Sequence, residues 1–311
     1  MYGGRSILRG VRLASANTPL PLVLLTVAAL AGCFDESGAR LPGPFDSQGH
    51  RGARGTHPEN SVAAFEEAVR RGMRTLELDV AVSADSQIVV SHEPYFNTAI
   101  CDLAGTPHTG ETSLFDLPYA AIAAVDCGSS GNLDFPDQRP EAAPKPLLAQ
   151  VVAAARALAL DLGRDEPHYN IEIKSKPEWD GTYTPAVAAF VGLVLAEAER
   201  LGITERLTVQ SFDDRALRQV MRQGPDVRTG YLSSTAPSWR NELATLGFQP
   251  DVYSPHHLLL TGRTVADLHE RGIRVVPWTV NDVTRMRTLI DWGVDGVITD
   301  YPARLAGVMP R

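Results

Sequence analysis

Residues 50–94 read HRGARGTHPENSVAAFEEAVRRGMRTLELDVAVSADSQIVVSHEP. Within them Leu76-Glu77-Leu78-Asp79-Val80 alternates with period two, the pattern of a β-strand with Glu77 and Asp79 on one face. Upstream, Val62, Phe65, Ala68 and Val69 share one face of a helix expected over Ser61–Arg71, with Asn60 as its N-cap and Gly72 closing it. One strand ends near His50 and the next spans Thr75–Val82. Strand, helix, strand is the repeating unit of a parallel sheet. Ile88–Ser91 is a short extended run that delivers His92.

Working outward, residues 94–146 break this rhythm. They hold seven prolines, several glycines, Cys101 and Cys127, and they read as an insertion after the second strand. The alternation then resumes. Helices are expected over Leu147–Leu160, Pro185–Leu201, Asp213–Arg222, Ser238–Leu246, Thr264–Arg271, Asp282–Gly293 and Pro302–Val308. Strands are expected over His168–Lys174, Leu207–Ser211, Val227–Leu232, Val252–Ser254, Arg274–Thr279 and Gly296–Thr299. Eight strand–helix units predict a closed (β/α)8 barrel, a TIM barrel of the α/β class. An open doubly wound sheet is the alternative, but no G-x-G-x-x-G follows a strand.

In such a barrel the outer strand face is covered by helices and is apolar, so Leu76, Leu78 and Val80 face outward and Glu77 and Asp79 face the lumen. Two buried carboxylates on one strand are costly unless something compensates them. One divalent cation, Mg²⁺ or Ca²⁺, suits oxygen ligands; no Cys/His cluster at zinc spacing is present. Asn170-Ile171-Glu172-Ile173-Lys174 repeats the device, with Glu172 and Lys174 on one face. His50 and His92 bracket the carboxylate strand, so one can take a proton while the other gives one. Arg51 offers a guanidinium fork for phosphate oxygens. Trp278 is a candidate for the substrate's carbon skeleton, and His256-His257 for lining the mouth. His57, His108, His168 and His269 read as structural, and Glu59 as support for the first loop.

These residues resemble the signature of glycerophosphodiester phosphodiesterases, which runs H-R-G, P-E-N-T, E-x-D, H-D and E-x-K. Here it stands as His50-Arg51-Gly52, Pro58-Glu59-Asn60-Ser61, Glu77-Leu78-Asp79, His92-Glu93 and Glu172-Ile173-Lys174. Ser61 replaces Thr, and Glu93 replaces the Asp beside the second histidine. The resemblance covers nearly all of the chain after about residue 45. It implies a metal site of Glu77, Asp79 and Glu172, with Lys174 as a point charge for phosphate. It also implies hydrolysis of a glycerophosphodiester to glycerol 3-phosphate and an alcohol, with His50 and His92 as acid and base. A phosphatidylinositol-type phospholipase C or lipid lyase, stopping at a cyclic phosphate, and a non-catalytic surface binding lipoprotein are the alternatives.

The chain has 311 residues, 44% hydrophobic and 21% charged, which is ordinary globular composition. Residues 1–32 differ. Arg5, Arg9 and Arg12 precede an apolar run over Leu20–Leu30, and Leu30-Ala31-Gly32-Cys33 resembles a bacterial lipobox. The expected organisation is a lipoprotein signal peptide over 1–32, a tether over 33–44 and the barrel over 45–311. Cys33 then carries a lipid, the protein is exported, and its only membrane contact is that anchor. Removing residues 1–32 takes away three arginines and no acidic residue, moving the formal charge from −8 to −11. So acidic a surface argues against nucleic acid as a partner. The two remaining cysteines, Cys101 and Cys127, form an even pair in an exported chain, which points to a disulfide.

Overall fold

A computed structural model describes residues 43–235 and 238–310. The Cys33 lipobox, the signal segment and most of the tether lie outside the described residues. Among the described residues no helix is long and apolar enough to cross a membrane.

Eight parallel strands form the barrel: β1 (Asp46–His50), β2 (Thr75–Val82), β4 (His168–Ile173), β5 (Leu207–Ser211), β6 (Arg228–Ser233), β7 (Val252–Pro255), β8 (Arg274–Val275) and β9 (Gly296–Thr299). Each pairs with its neighbours in the ladder β8-β7-β6-β5-β4-β2-β1-β9. The extended run after β2 is itself a strand, β3 (Ile88–Val90), antiparallel to β2. The barrel helices are α1 (Val62–Arg70), α3 (Leu148–Asp161), α4 (Val187–Leu201), α5 (Asp214–Gln223), α6 (Trp239–Leu246), α7 (Gly262–His269), α8 (Val283–Asp291) and α9 (Pro302–Ala306); α2 (Tyr119–Ile122) is a single turn inside the insertion.

The sequence expectation for β8 was too long. The assigned strand ends at Val275, yet Val276 N and Trp278 N still donate to Tyr253 O at 3.1 Å and Pro255 O at 3.0 Å on the β7 side; Pro277, between them, has no N–H to give on the β9 side. The seam beside β9 is closed by single hydrogen bonds, from Asp295 N to Val275 O at 2.9 Å and from Ile298 N to Pro277 O at 3.0 Å. The N-cap of α1 is Ser61, not Asn60: Ser61 Oγ accepts from Ala64 N at 3.1 Å. Asn60 is freed for the site described below.

Leu76, Leu78 and Val80 are fully buried against the helices, with Phe65, Val69, Val151 and Ile171 in the same core. The lumen is polar by contrast. Asn170 Nδ2 donates to Gln48 Oε1 at 2.8 Å and to Gln210 Oε1 at 2.9 Å, and Gln210 Nε2 donates to Glu77 Oε1 at 2.8 Å. An amide layer therefore lies under the carboxylates and fixes one of them. The insertion has its own small core, in which Phe96, Ile100, Leu114, Ile122 and Val125 surround the Cys101–Cys127 disulfide.

Candidate active site

Strand register gathers the site. Asp79 on β2 is the direct partner of Glu172 on β4, and His50 on β1 is the partner of Glu77 on β2. Neighbouring strands lie about 4.8 Å apart, so these side chains meet at the C-terminal end of the barrel. Ligand oxygens of Glu77, Asp79 and Glu172 all lie within 4.8 Å of one another. The three residues are 1%, 1% and 7% exposed, so little water offsets their mutual repulsion.

Burial and the Asp79 charge push the Glu77 carboxyl well up. Burial also raises Glu172, against the pull of Lys174. For Asp79 burial acts upward too, but His92, Arg51 and Lys174 more than reverse it, and it stays ionised. Asp79 Oδ1 is buried and has no hydrogen-bond partner. A buried, ionised oxygen aimed at two further carboxylates fits a divalent cation, and an all-oxygen donor set fits a hard one.

The first loop is bent to serve this cluster. Arg51 has φ 50° and Asn60 φ 55°, a left-handed conformation that non-glycine residues rarely adopt. Gly52 has φ 83°, and a Cβ there would stand 2.5 Å from the Ala64 carbonyl carbon. The turn aims Arg51 N at Glu77 Oε2, 2.9 Å away, and Asn60 Nδ2 at Asp79 Oδ2, 3.0 Å away. The Arg51 guanidinium, expected on phosphate, donates from Nη1 to Glu59 Oε1 at 2.8 Å, and its Nε lies 3.3 Å from Asp79 Oδ2. Glu59 thus supports the loop by holding Arg51.

Each histidine is held by a carboxylate through Nδ1. His50 Nδ1 is 2.7 Å from Asp300 Oδ1, and Arg54 Nε donates to the same oxygen at 2.8 Å. Burial, aided by Arg54 and Arg51, holds His50 down at about 4 against the pull of Asp300, and an Nδ1–H donated to Asp300 makes Nε2 the accepting nitrogen of the neutral ring. That nitrogen stands 3.9 Å from Glu77 Oε2. His92 Nδ1 is 2.7 Å from Glu93 Oε1, and its Nε2 receives Lys174 Nζ at 2.9 Å. Lys174 Nζ also contacts Glu172 Oε1 at 2.9 Å. Glu93 therefore does for His92 what Asp300 does for His50, despite the extra methylene.

The sequence profile of the glycerophosphoryl diester phosphodiesterase family matches residues 50–304. The chain belongs to that family. A glycerophosphodiester phosphodiesterase of Caldanaerobacter subterraneus is 26% identical over 269 residues, covering 84% of this chain and 96% of that protein. The crystal structure of a Silicibacter pomeroyi protein assigned to the same activity superposes with a TM-score of 0.75 at 32% identity, covering 86% of this chain and 94% of that one. An Oleispira antarctica phosphodiesterase, solved with the product sn-glycerol-3-phosphate, shares the fold with a TM-score of 0.68 at 22% identity, over 85% of this chain and 96% of its own.

The enzyme's cavity at this mouth has a volume of about 240 Å³, and its lining includes His50, His92, Glu172 and Lys174 together with Phe212 and Trp278. Phe212 packs edge-on against Trp278 with ring centroids 5.5 Å apart, and Trp278 Nε1 is fixed by Ser254 O at 2.8 Å. His256 stacks on His257 and meets Trp278 edge-on, so this pair backs the apolar wall. His57, His108, His168 and His269 all lie off the cavity lining.

Sequence reasoning singled out neither Arg54 nor Lys145. Lys145 is 6% exposed and donates from Nζ to Ser91 Oγ at 2.8 Å; Ser91 Oγ donates to Glu93 O at 2.6 Å. The end of the insertion thereby grips the loop that carries His92.

Proposed function

We infer that the enzyme hydrolyses glycerophosphodiesters to glycerol 3-phosphate and an alcohol, using one divalent cation held by Glu77, Asp79 and Glu172. One observation carries the reading: a buried three-carboxylate cluster stands between two carboxylate-held histidines in a single cavity. A bound Mg²⁺ or Ca²⁺ would neutralise phosphate charge and lower the barrier to attack on phosphorus.

The chain's own residues supply the proton transfers. His50, neutral and with Nε2 free of a hydrogen bond, takes the proton of the substrate's glycerol 2-hydroxyl as that oxygen attacks phosphorus. The bond from phosphorus to the leaving alcohol breaks, and His92 Nε2 delivers a proton to the departing oxygen. When substrate enters, Lys174 turns from His92 to the phosphate oxygens, and the freed Nε2 takes up a proton from water, which is the proton that His92 gives to the leaving oxygen. Water then opens the cyclic phosphate: His92 takes its proton, and His50 returns one to the 2-oxygen. Arg51 holds Asp79 and Glu59 while its remaining N–H groups face the phosphate side. Phe212 and Trp278 receive the carbon skeleton.

The lyase reading would stop at the cyclic product. Three matched carboxylates count against it, since an arginine replaces the metal in many such lyases. The decisive assay follows free glycerol 3-phosphate released from a panel of glycerophosphodiesters, with and without added Mg²⁺ or Ca²⁺. A stable cyclic phosphate as end product, or unchanged turnover in chelator, would refute the hydrolase. We also propose export and lipid attachment at Cys33, supported by the arginine-led apolar segment and the Leu30–Cys33 motif. Unchanged membrane association and precursor size in Cys33→Ser would overturn that.

A further inference from the structure

A second cavity, of about 270 Å³, opens at the opposite end of the barrel, where the strands begin. Arg74 precedes β2, and Arg228 and Arg274 are the first residues of β6 and β8; all three line it. Among the described residues none of these guanidiniums lies within ion-pair distance of a carboxylate; Arg274 Nη2 donates to the carbonyls of Pro44 at 3.0 Å and Asp295 at 3.3 Å, which leaves its charge uncompensated. His168, the first residue of β4, is caught between two of them. Arg74 Nη2 stands 3.2 Å from its Nε2, and Arg228 Nη2 stands 3.1 Å from its Nδ1.

That arrangement is frustrated. A guanidinium has only donors, and a neutral imidazole accepts at one ring nitrogen while the other carries hydrogen. One of the two arginines therefore points a donor at a donor. Protonating the ring removes the remaining acceptor and adds a third positive charge, so it makes the mismatch worse.

The cavity's carboxylates do not resolve it. Asp46 accepts from Thr75 Oγ1 at 2.5 Å and from Gln48 Nε2 at 2.8 Å. Asp251 Oδ2 accepts from Thr229 N at 2.8 Å and Oγ1 at 3.2 Å. Three guanidiniums against two committed carboxylates leave a local positive surplus, in a chain of net charge −8. A small tetrahedral oxyanion supplies what is missing, because its oxygens are pure acceptors that match guanidinium forks.

We propose that this end of the barrel binds a phosphate-type oxyanion, held by Arg74, Arg228 and Arg274 beside His168. The ligand chemistry is a free phosphate or phosphomonoester, or the same group on a lipid head. The site is separate from the catalytic cavity, with which it shares no lining residue.

The test follows the His168 ring signals by heteronuclear NMR in the full-length protein. Inorganic phosphate, glycerol 3-phosphate, vesicles of phosphatidylglycerol and vesicles of neutral phosphatidylcholine are added in separate titrations. Saturable movement of the His168 signals with phosphate or the phosphomonoester supports a site for a free anion. Movement with phosphatidylglycerol alone supports a headgroup site. The combined variant Arg74→Gln/Arg228→Gln should weaken that response by about tenfold or more, as expected for losing charge-assisted hydrogen bonds. Turnover should be unchanged in this variant. No saturable shift in the unaltered protein overturns the proposal whether or not the variant folds. So does an equal response to neutral vesicles, or an undiminished response in a folded variant.

Discussion

Asp300 lies 250 residues from His50 in sequence, yet their side chains meet at 2.7 Å. Nothing near Asp300 announces that contact; only its place after the last barrel strand does. The carboxylates were far more legible, because Glu77 and Asp79, and likewise Glu172 and Lys174, stand two apart with an apolar residue between them. The roles separate cleanly by mutation. Glu77→Gln, Asp79→Asn and Glu172→Gln should lose cation binding and turnover together. His50→Ala and His92→Ala should keep the cation and lose about 10²–10⁴ in rate. Calorimetric cation titration beside turnover measures both, and near-normal turnover in either histidine variant contradicts the acid–base assignment. Asp300→Asn should lower kcat by a similar factor, because an orienting carboxylate fixes the tautomer of its histidine. Its KM should change little, since Asp300 does not line the cavity.

At the level of elements, the insertion was legible as a stapled interruption, but which of its residues serve the site was not. A lysine in the run Pro144-Lys145-Pro146 reads as a surface residue; tertiary packing buries it. Burial holds the Lys145 ammonium below its ordinary value, with Glu93 and Glu59 opposing that. Lys145→Met keeps the length and removes the grip on Ser91, so kcat should fall, by up to about 10²-fold for a slight misplacement of His92. Steady-state kinetics would show it, and unchanged kcat would mean the loop holds itself. Asp126 ties the middle of the insertion to its C-terminal part: its Oδ1 accepts from Gly128 N at 2.9 Å, Ser129 N at 3.2 Å and Ala143 N at 3.0 Å. Burial pushes this carboxyl up, but those bonds more than reverse it and hold it at about 2. A depressed folded value means the stabilisation is present above the ordinary aspartate range, near about 4, and is lost as pH falls toward 2. Melting curves between those pH values should therefore fall more steeply for the unaltered protein than for Asp126→Asn. The Cys101–Cys127 link closes a separation of 26 residues, worth about 3–4 kcal/mol in the chain-entropy model. Two alkylatable thiols in native protein would remove that contribution from the account. Boundaries were read less well than identities: Asn60 looked like a cap because caps favour Asn, but a buried Asp79 had a stronger claim on its amide.

For the molecule as a whole, eight alternations were enough to read a barrel, because the helix and strand periods differ and each run was long enough to show its own. The polar lumen was less legible: Gln48, Asn170 and Gln210 reveal themselves as a layer only once register is known. Cation binding should act on the entire fold. With three buried carboxylates facing one another, saturating Mg²⁺ or Ca²⁺ should raise the melting temperature, by a free energy of about 2.7 kcal/mol at a hundred times Kd. Chelator should reverse the gain, and Glu77→Gln should show none. The direction of β1 carries one more consequence. The chain enters the barrel at Asp46 and reaches the catalytic mouth only at His50, and Pro44 O is pinned by Arg274 Nη2 at 3.0 Å at the entry end. The polypeptide thus joins the barrel at the end where the strands begin, and a pull on residue 43 would load that rim first, leaving the far rim with its histidines and carboxylates unloaded.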